Sequence, residues 1–122
     1  MEDSDPKWSY AQTNPSGEVT EVREKEVISD RATAGIYLFE SARTMSRAFD
    51  SMMAAGTKVN NEYYIGPSYN WLIEDGKRIA SYHLGAVSRV MHGLGTPADY
   101  ENFLQSNVSK HASMAARRIL SI

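Results

Sequence analysis

The tetrapeptide Asn14-Pro15-Ser16-Gly17 leaves the chain little choice of path. Proline presets one turn dihedral, asparagine hydrogen-bonds back to the turn, and glycine accepts a left-handed backbone at no steric cost. Before it, Trp8, Tyr10 and Gln12 alternate with small residues, the period of a half-buried strand. After it, Val19 and Val22 stand three apart, which breaks strict alternation. A β-bulge, or a strand covered on both faces, accounts for that spacing. Residues 8–13 and 18–24 are therefore expected to pair as a hairpin.

Further punctuation divides the rest of the chain. Residues 26–31 read as a loop. The short apolar run at residues 32–39 reads as a buried strand, and Gly35 inside it suggests close approach of backbone or ligand. Ala42, Met45, Phe49, Met52 and Met53 make one apolar helical stripe, with Ser41 as N-cap and Gly56 as the C-terminal stop. Tyr69 to Glu74 predicts a short helix ended by Asp75-Gly76. Residues 78–84 and 87–91 are candidate strands with a turn near Gly85. Thr96-Pro97-Ala98-Asp99 opens a helix, because threonine caps, proline suits the first helical position and a carboxylate favours the first turn. Ser109 is expected to begin a last helix over residues 110–120, with Ala112, Ala115, Ala116 and Ile119 on one side and Arg117-Arg118 near its C-terminus. The order β-β-β-α-α-β-β-α-α is α/β or α+β with a small sheet.

Composition narrows the function. The chain has 122 residues, a formal charge of −2 and no cysteine. That length points to one domain. The lack of cysteine excludes disulfides, thiolate nucleophiles and cysteine-ligated metal sites. Mild acidity argues against nucleic acid as a partner. No run approaches the roughly 18 apolar residues of a membrane span, and the polar N-terminus does not resemble a signal peptide, so a cytoplasmic protein is expected.

Few residues carry visible chemistry. Glu24-Lys25 ends the second strand, where a carboxylate and an ammonium suit a sugar hydroxyl and a phosphate. The same residues, among Glu18, Glu21, Arg23 and Glu26, also fit an exposed charge cluster, and charge runs are usually solvated. His83, His92 and His111 match no metal spacing and favour structural roles. Gly93-Leu94-Gly95-Thr96-Pro97 lacks the pattern of a phosphate loop and reads as a helix cap. Tyr63, Tyr64, Tyr69 and Trp71 suit sugar stacking, but core packing is the commoner use of such residues.

Three ordered segments add a resemblance. They are residues 17–25 continuing to Ser29 and residues 32–39, then Asn61-Glu62-Tyr63-Tyr64-Ile65 leading into Tyr69-Asn70-Trp71-Leu72-Ile73 and Gly76, then Gly95-Thr96-Pro97-Ala98-Asp99-Tyr100. Their order and spacing resemble the C-terminal half of the sugar-1-phosphate nucleotidyltransferases, including glucose-1-phosphate thymidylyltransferases and mannose-1-phosphate guanylyltransferases. That family joins a sugar 1-phosphate to a nucleoside triphosphate with Mg2+, giving a nucleotide sugar and pyrophosphate. The resemblance implies the C-terminal part of a Rossmann-like nucleotide-diphospho-sugar transferase fold, a small mixed sheet with flanking helices. It implies a role in capsule or lipopolysaccharide synthesis. It places Glu24 on sugar hydroxyls, Lys25 on the sugar phosphate, Thr33 and Gly35 along the sugar pocket, and Glu62 beside it.

The family's glycine-rich triphosphate loop and metal-binding aspartate have no counterpart here, and Gly93 stands where many members carry a second metal ligand. Residues 1–122 are thus expected to form the sugar-binding half of a domain whose nucleotide-binding half is absent. Such a chain would be inactive alone, bind sugar 1-phosphate weakly, need no cofactor of its own, and form a homo-oligomer through an exposed sheet edge. A stand-alone sugar-phosphate or protein-interaction module of the same origin is the second expectation, and a small structural α/β protein the third.

Overall fold

The turn at Asn14 does what its residues dictate. Asn14 accepts at its side-chain oxygen from the N–H groups of Ser16 (3.0 Å) and Glu18 (3.0 Å), and the chain reverses with Gly17 at φ 85°. In the computed structural model, which describes residues 1–86 and 91–120 (backbone alone for residue 113 and residues 115–120), two compact units follow each other, Met1–Ala86 and Val87–Ile122.

The first unit is built on the hairpin β1 (Ser9–Thr13) and β2 (Val19–Glu24), paired antiparallel with Ser9 opposite Glu24 and Ala11 opposite Val22. The register shifts between Gln12 and Thr13. This bulge lets Val19 and Val22, three apart, both turn inward. The expected face of Trp8, Tyr10 and Gln12 is only partly right. Ser9, Tyr10 and Ala11 are all buried and Gln12 is exposed, because both faces of the strand are covered at its middle.

The outer edges of the hairpin are occupied. Residues 31–33 run along β1, with Ala11 N–H donating to the Arg31 carbonyl (2.9 Å) and Thr33 N–H to the Ser9 carbonyl (2.8 Å). Along β2, Val19 N–H donates to the Ile79 carbonyl (2.8 Å), and the Asn70 side chain both accepts from Val22 N–H (2.8 Å) and donates to its carbonyl (2.9 Å).

Neither residues 32–39 nor residues 78–84 form the strands expected of them. Each makes an isolated bridge, Tyr10 to Ala32 and Glu18 to Ala80. Residues 36–39 keep the strand period, with Tyr37 and Phe39 half-buried and Ile36 and Leu38 exposed. What holds them is aromatic. Tyr69 stacks on Phe39 at 4.7 Å, lies 5.9 Å from Tyr37, and donates its hydroxyl to the Leu38 carbonyl (2.7 Å). The described sheet is therefore two-stranded and antiparallel rather than mixed.

Helix α1 (Ala42–Ala54) starts where Ser41 accepts from Thr44 N–H. It ends in a Schellman motif, Gly56 N–H to the Met53 carbonyl and Thr57 N–H to the Met52 carbonyl, with Gly56 at φ 67°. Its buried face is Ala48 and Met52; Met45 and Met53 of the expected stripe are exposed. Ala48 is 1% exposed and shares a cluster with Ala11, Val19, Val22, Tyr69 and Leu72. A single turn of 3-10 helix (Gly66–Ser68) leads into α2 (Tyr69–Glu74), closed by the same motif around Gly76.

In the second unit, α3 (Pro97–Gln105) begins as expected, with Thr96 Oγ1 accepting from Asp99 N–H (3.1 Å). Helix α4 (Asn107–Leu120) begins earlier than expected, because Ser106 is the residue whose hydroxyl accepts from Ser109 N–H (3.2 Å). Ser109 is instead buried and donates to the Leu104 and Ser106 carbonyls, both at 2.9 Å. The strand expected at residues 87–91 falls mostly outside the described residues, as do the side chains of Ala115, Ala116, Arg117, Arg118 and Ile119.

Candidate functional site

The open end of the hairpin places Ser9 and Glu24 directly across from each other, on the same sheet face as the core pair Ala11 and Val22. Glu24 is only 9% exposed, and the Ser9 hydroxyl donates to its Oε2. Burying a carboxylate without partners is costly, so this hydroxyl is part of what keeps Glu24 in place. Tyr37 extends the network: its hydroxyl lies 2.8 Å from Thr33 Oγ1 and donates toward Ser9 Oγ at 3.5 Å. Glu24 and Thr33 thus reach each other through Ser9 and Tyr37.

These groups border a pocket of about 260 Å³ whose lining includes Lys7, Trp8, Ser9, Glu24, Thr33, Gly35, Tyr37, Tyr64 and Gly66. Gly35 lines it at φ 74°, a backbone that side chains rarely adopt, and a Cβ there would meet no atom within 4 Å. Its requirement is conformational rather than spatial. Gly66 is the reverse: a Cβ would stand 3.0 Å from Ser9 Oγ and 3.1 Å from the Tyr37 hydroxyl.

Lys25 continues the chain beyond Glu24 with φ 56°, left-handed for a residue with a side chain, while its N–H donates to the Trp8 carbonyl (2.9 Å). Its ammonium donates to the Tyr64 hydroxyl (2.8 Å), and that hydroxyl donates to Glu62 Oε2 (2.6 Å). The Tyr64 hydrogen bond, with Glu24 and Glu62 nearby, holds the Lys25 pKa above the usual lysine value. Of the five residues expected at a site, Glu24, Thr33 and Gly35 line one pocket, and Tyr64 on its wall reaches the other two.

Ser9, Tyr37 and Gly66 carry no site signal in the sequence, and Tyr64 is legible there only as an aromatic suited to sugar stacking. Tyr64 stands two residues from Glu62, the spacing of one extended face, and Ser9 follows from hairpin register once the bulge is known. The other aromatic residues divide: Tyr69 is core, with burial raising its pKa, whereas Tyr63 is 40% exposed. Each histidine has a separate partner: His83 Nε2 lies 3.1 Å from Glu2 Oε1, His111 Nδ1 lies 2.7 Å from the Asn107 carbonyl, and His92 packs on Phe103 at 5.4 Å. Among the described residues no three His, Asp or Glu side chains converge as a metal site requires, and no helix is long and apolar enough to cross a membrane.

No protein-family model and no curated protein matches the chain. Among solved structures it is similar to a nucleoside-diphosphate-sugar pyrophosphorylase from Vibrio cholerae RC9, at 30% identity and a TM-score of 0.75, over 86% of this chain. The match spans 44% of that protein's length. The chain therefore carries a sugar nucleotidyltransferase-like fold over less than half the length of the protein it resembles.

Proposed function

We propose that this chain is the sugar-phosphate-binding part of a sugar-1-phosphate nucleotidyltransferase, the C-terminal half of its Rossmann-like domain, serving nucleotide-sugar synthesis for capsule or lipopolysaccharide in the cytoplasm. One observation carries the reading: Glu24, Thr33 and Gly35 border a single pocket, and Lys25 is bound to Tyr64 on its wall. Glu24 accepts hydrogen bonds from sugar hydroxyls. An ionised carboxylate has about four acceptor positions, and Ser9 uses one. Lys25 is a point charge for the phosphate. Thr33 offers a hydroxyl, and Gly35 leaves open space at the wall.

Nucleotidyl transfer rests on positioning and on neutralising the triphosphate, tasks that Mg2+ and cationic loops perform in that reaction. Among the described residues no three candidate ligands cluster, and Mg2+ in such reactions is commonly held by one or two carboxylates together with the substrate's phosphates. Because the glycine-rich triphosphate loop and metal-binding aspartate of that family have no counterpart in residues 1–122, we expect no turnover from these residues alone.

Calorimetric titration with glucose 1-phosphate and mannose 1-phosphate tests the pocket. Weak binding is expected, reduced about tenfold or more in Glu24→Ala and in Lys25→Ala, because each removes a charge-assisted hydrogen bond. Absence of heat with every sugar 1-phosphate refutes it.

A protein-interaction module is the second reading. A cavity of about 480 Å³ beside the sheet is lined by Val19, Val22, Tyr37, Leu72 and Ile79, while Ile36 and Leu38 nearby are 77% and 86% exposed. Large exposed apolar side chains in one region favour association. We propose that copies of the chain associate there, the hairpin edges being taken. A monodisperse monomer in light scattering at all concentrations overturns this.

A further inference from the structure

We infer that Tyr64 is a positioning residue: its hydroxyl bridges Lys25 to Glu62 and aims the ammonium before any anion arrives. The ligand side of this inference rests on the sugar-phosphate reading above; the bridge itself does not.

The hydrogen-bond roles leave one arrangement. An ammonium only donates and an ionised carboxylate only accepts. A phenol does both, so its single proton points to Glu62 Oε2 at 2.6 Å and its lone pair receives Lys25 Nζ at 2.8 Å. Both bonds are charge-assisted, the stronger class.

The backbone at each end is committed to this geometry. Lys25 is left-handed and tethered to the Trp8 carbonyl. At the other end Asn60 and Asn61 have φ 51° and 64°, the two-residue reversal that asparagine tolerates. Val59 and Glu62 exchange both backbone hydrogen bonds across it at 3.0 Å each. Glu62 leaves this tight turn two residues before Tyr64. Asparagine visits this region readily, so of the three only Lys25, at φ 56°, is an uncommon left-handed residue.

The bridge does two things. A free lysine loses side-chain rotamer freedom on binding, and part of that loss is already incurred when the ammonium is held in advance. The ammonium also keeps donors, since it has three and the phenol takes one. Tyr64 lines the same pocket as Glu24, and its hydroxyl is the atom that ties the Lys25 ammonium to that wall. The elevated pKa of Lys25, caused first by the Tyr64 hydrogen bond and then by the Glu24 and Glu62 charges, agrees with the geometry.

The test uses the full chain with isotope-labelled lysine, the Lys25 signal being assigned by its loss in Lys25→Arg. Tyr64→Phe keeps the ring and removes both hydrogen bonds. We expect Lys25 to titrate at lower pH in Tyr64→Phe than in the unsubstituted chain, with Glu62→Gln shifting it the same way by less. Inorganic phosphate should bind Tyr64→Phe about 3- to 10-fold more weakly, the worth of one modest hydrogen bond. An unchanged Lys25 titration in both variants overturns the inference, whatever phosphate does. If no sugar 1-phosphate binds the unsubstituted chain, the functional reading fails while the lysine titration still decides the role of Tyr64.

Discussion

Asn70 bonds β2 with the geometry of a missing strand. Its amide accepts from Val22 N–H at 2.8 Å and donates to the Val22 carbonyl at 2.9 Å, and Val22 is 4% exposed. Asn70→Ala removes both bonds and leaves a buried donor and a buried acceptor without this partner. Each such loss costs about 1–3 kcal/mol. Water reaching a half-buried edge recovers some of that, and alanine is a better helix former than asparagine by some tenths of a kcal/mol. The net destabilisation should be about 2–4 kcal/mol. In urea, where a chain of this size has a slope near 1.5 kcal/mol/M, the midpoint should fall by about 1–3 M with the slope unchanged. Circular dichroism against urea concentration reads this directly. Asn70→Asp is the control: it keeps the acceptor for Val22 N–H but sets a carboxylate oxygen against a carbonyl, so it should lose at least half as much. A midpoint shift under about 0.3 M for Asn70→Ala would show that the two bonds are not what secures the β2 edge.

The two pocket glycines should separate by mechanism. Gly35→Ala meets no atom but must hold φ 74°, so thermal unfolding should show a loss of about 1 kcal/mol with modest change in sugar-phosphate affinity. Gly66→Ala has no such strain and instead presses on Ser9 Oγ and the Tyr37 hydroxyl, so it should cost about 1–3 kcal/mol and weaken binding through Glu24 as well; equal behaviour of the two variants contradicts this account.

Helix and turn ends were the most legible part of the sequence, because their causes are local. Ser41, Thr96, Gly56 and Gly76 act within a few residues of themselves, and each does so here. Residues 32–39 and 78–84 misled because a short apolar alternating run reports burial, not pairing. Tyr37 and Phe39 do turn inward, but onto Tyr69 rather than a neighbouring strand. The helix stripe holds at Met52, which is buried, and at Phe49, which packs on Phe39, but not at Met45 and Met53, which are exposed. Bulk favours the methionines, whereas the cluster with Tyr69 and Leu72 also takes in Ala48, whose small side chain permits close approach. Glu24-Lys25 was ambiguous as a charge pair, since nothing local separates a solvated carboxylate from one 9% exposed.

By itself, then, the sequence determined the turn at Asn14, where α1 begins and ends, where α2 ends and α3 begins, and which residues carry charge and hydroxyls. Those are decided by backbone sterics and by hydrogen bonds that reach only a few residues. Tertiary structure alone decided that Ser9 faces Glu24, that Asn70 covers β2, and that Tyr64, 39 residues from Lys25, joins it to Glu62. Such contacts depend on register and on packing between distant segments, where a one-residue bulge changes every partner that follows.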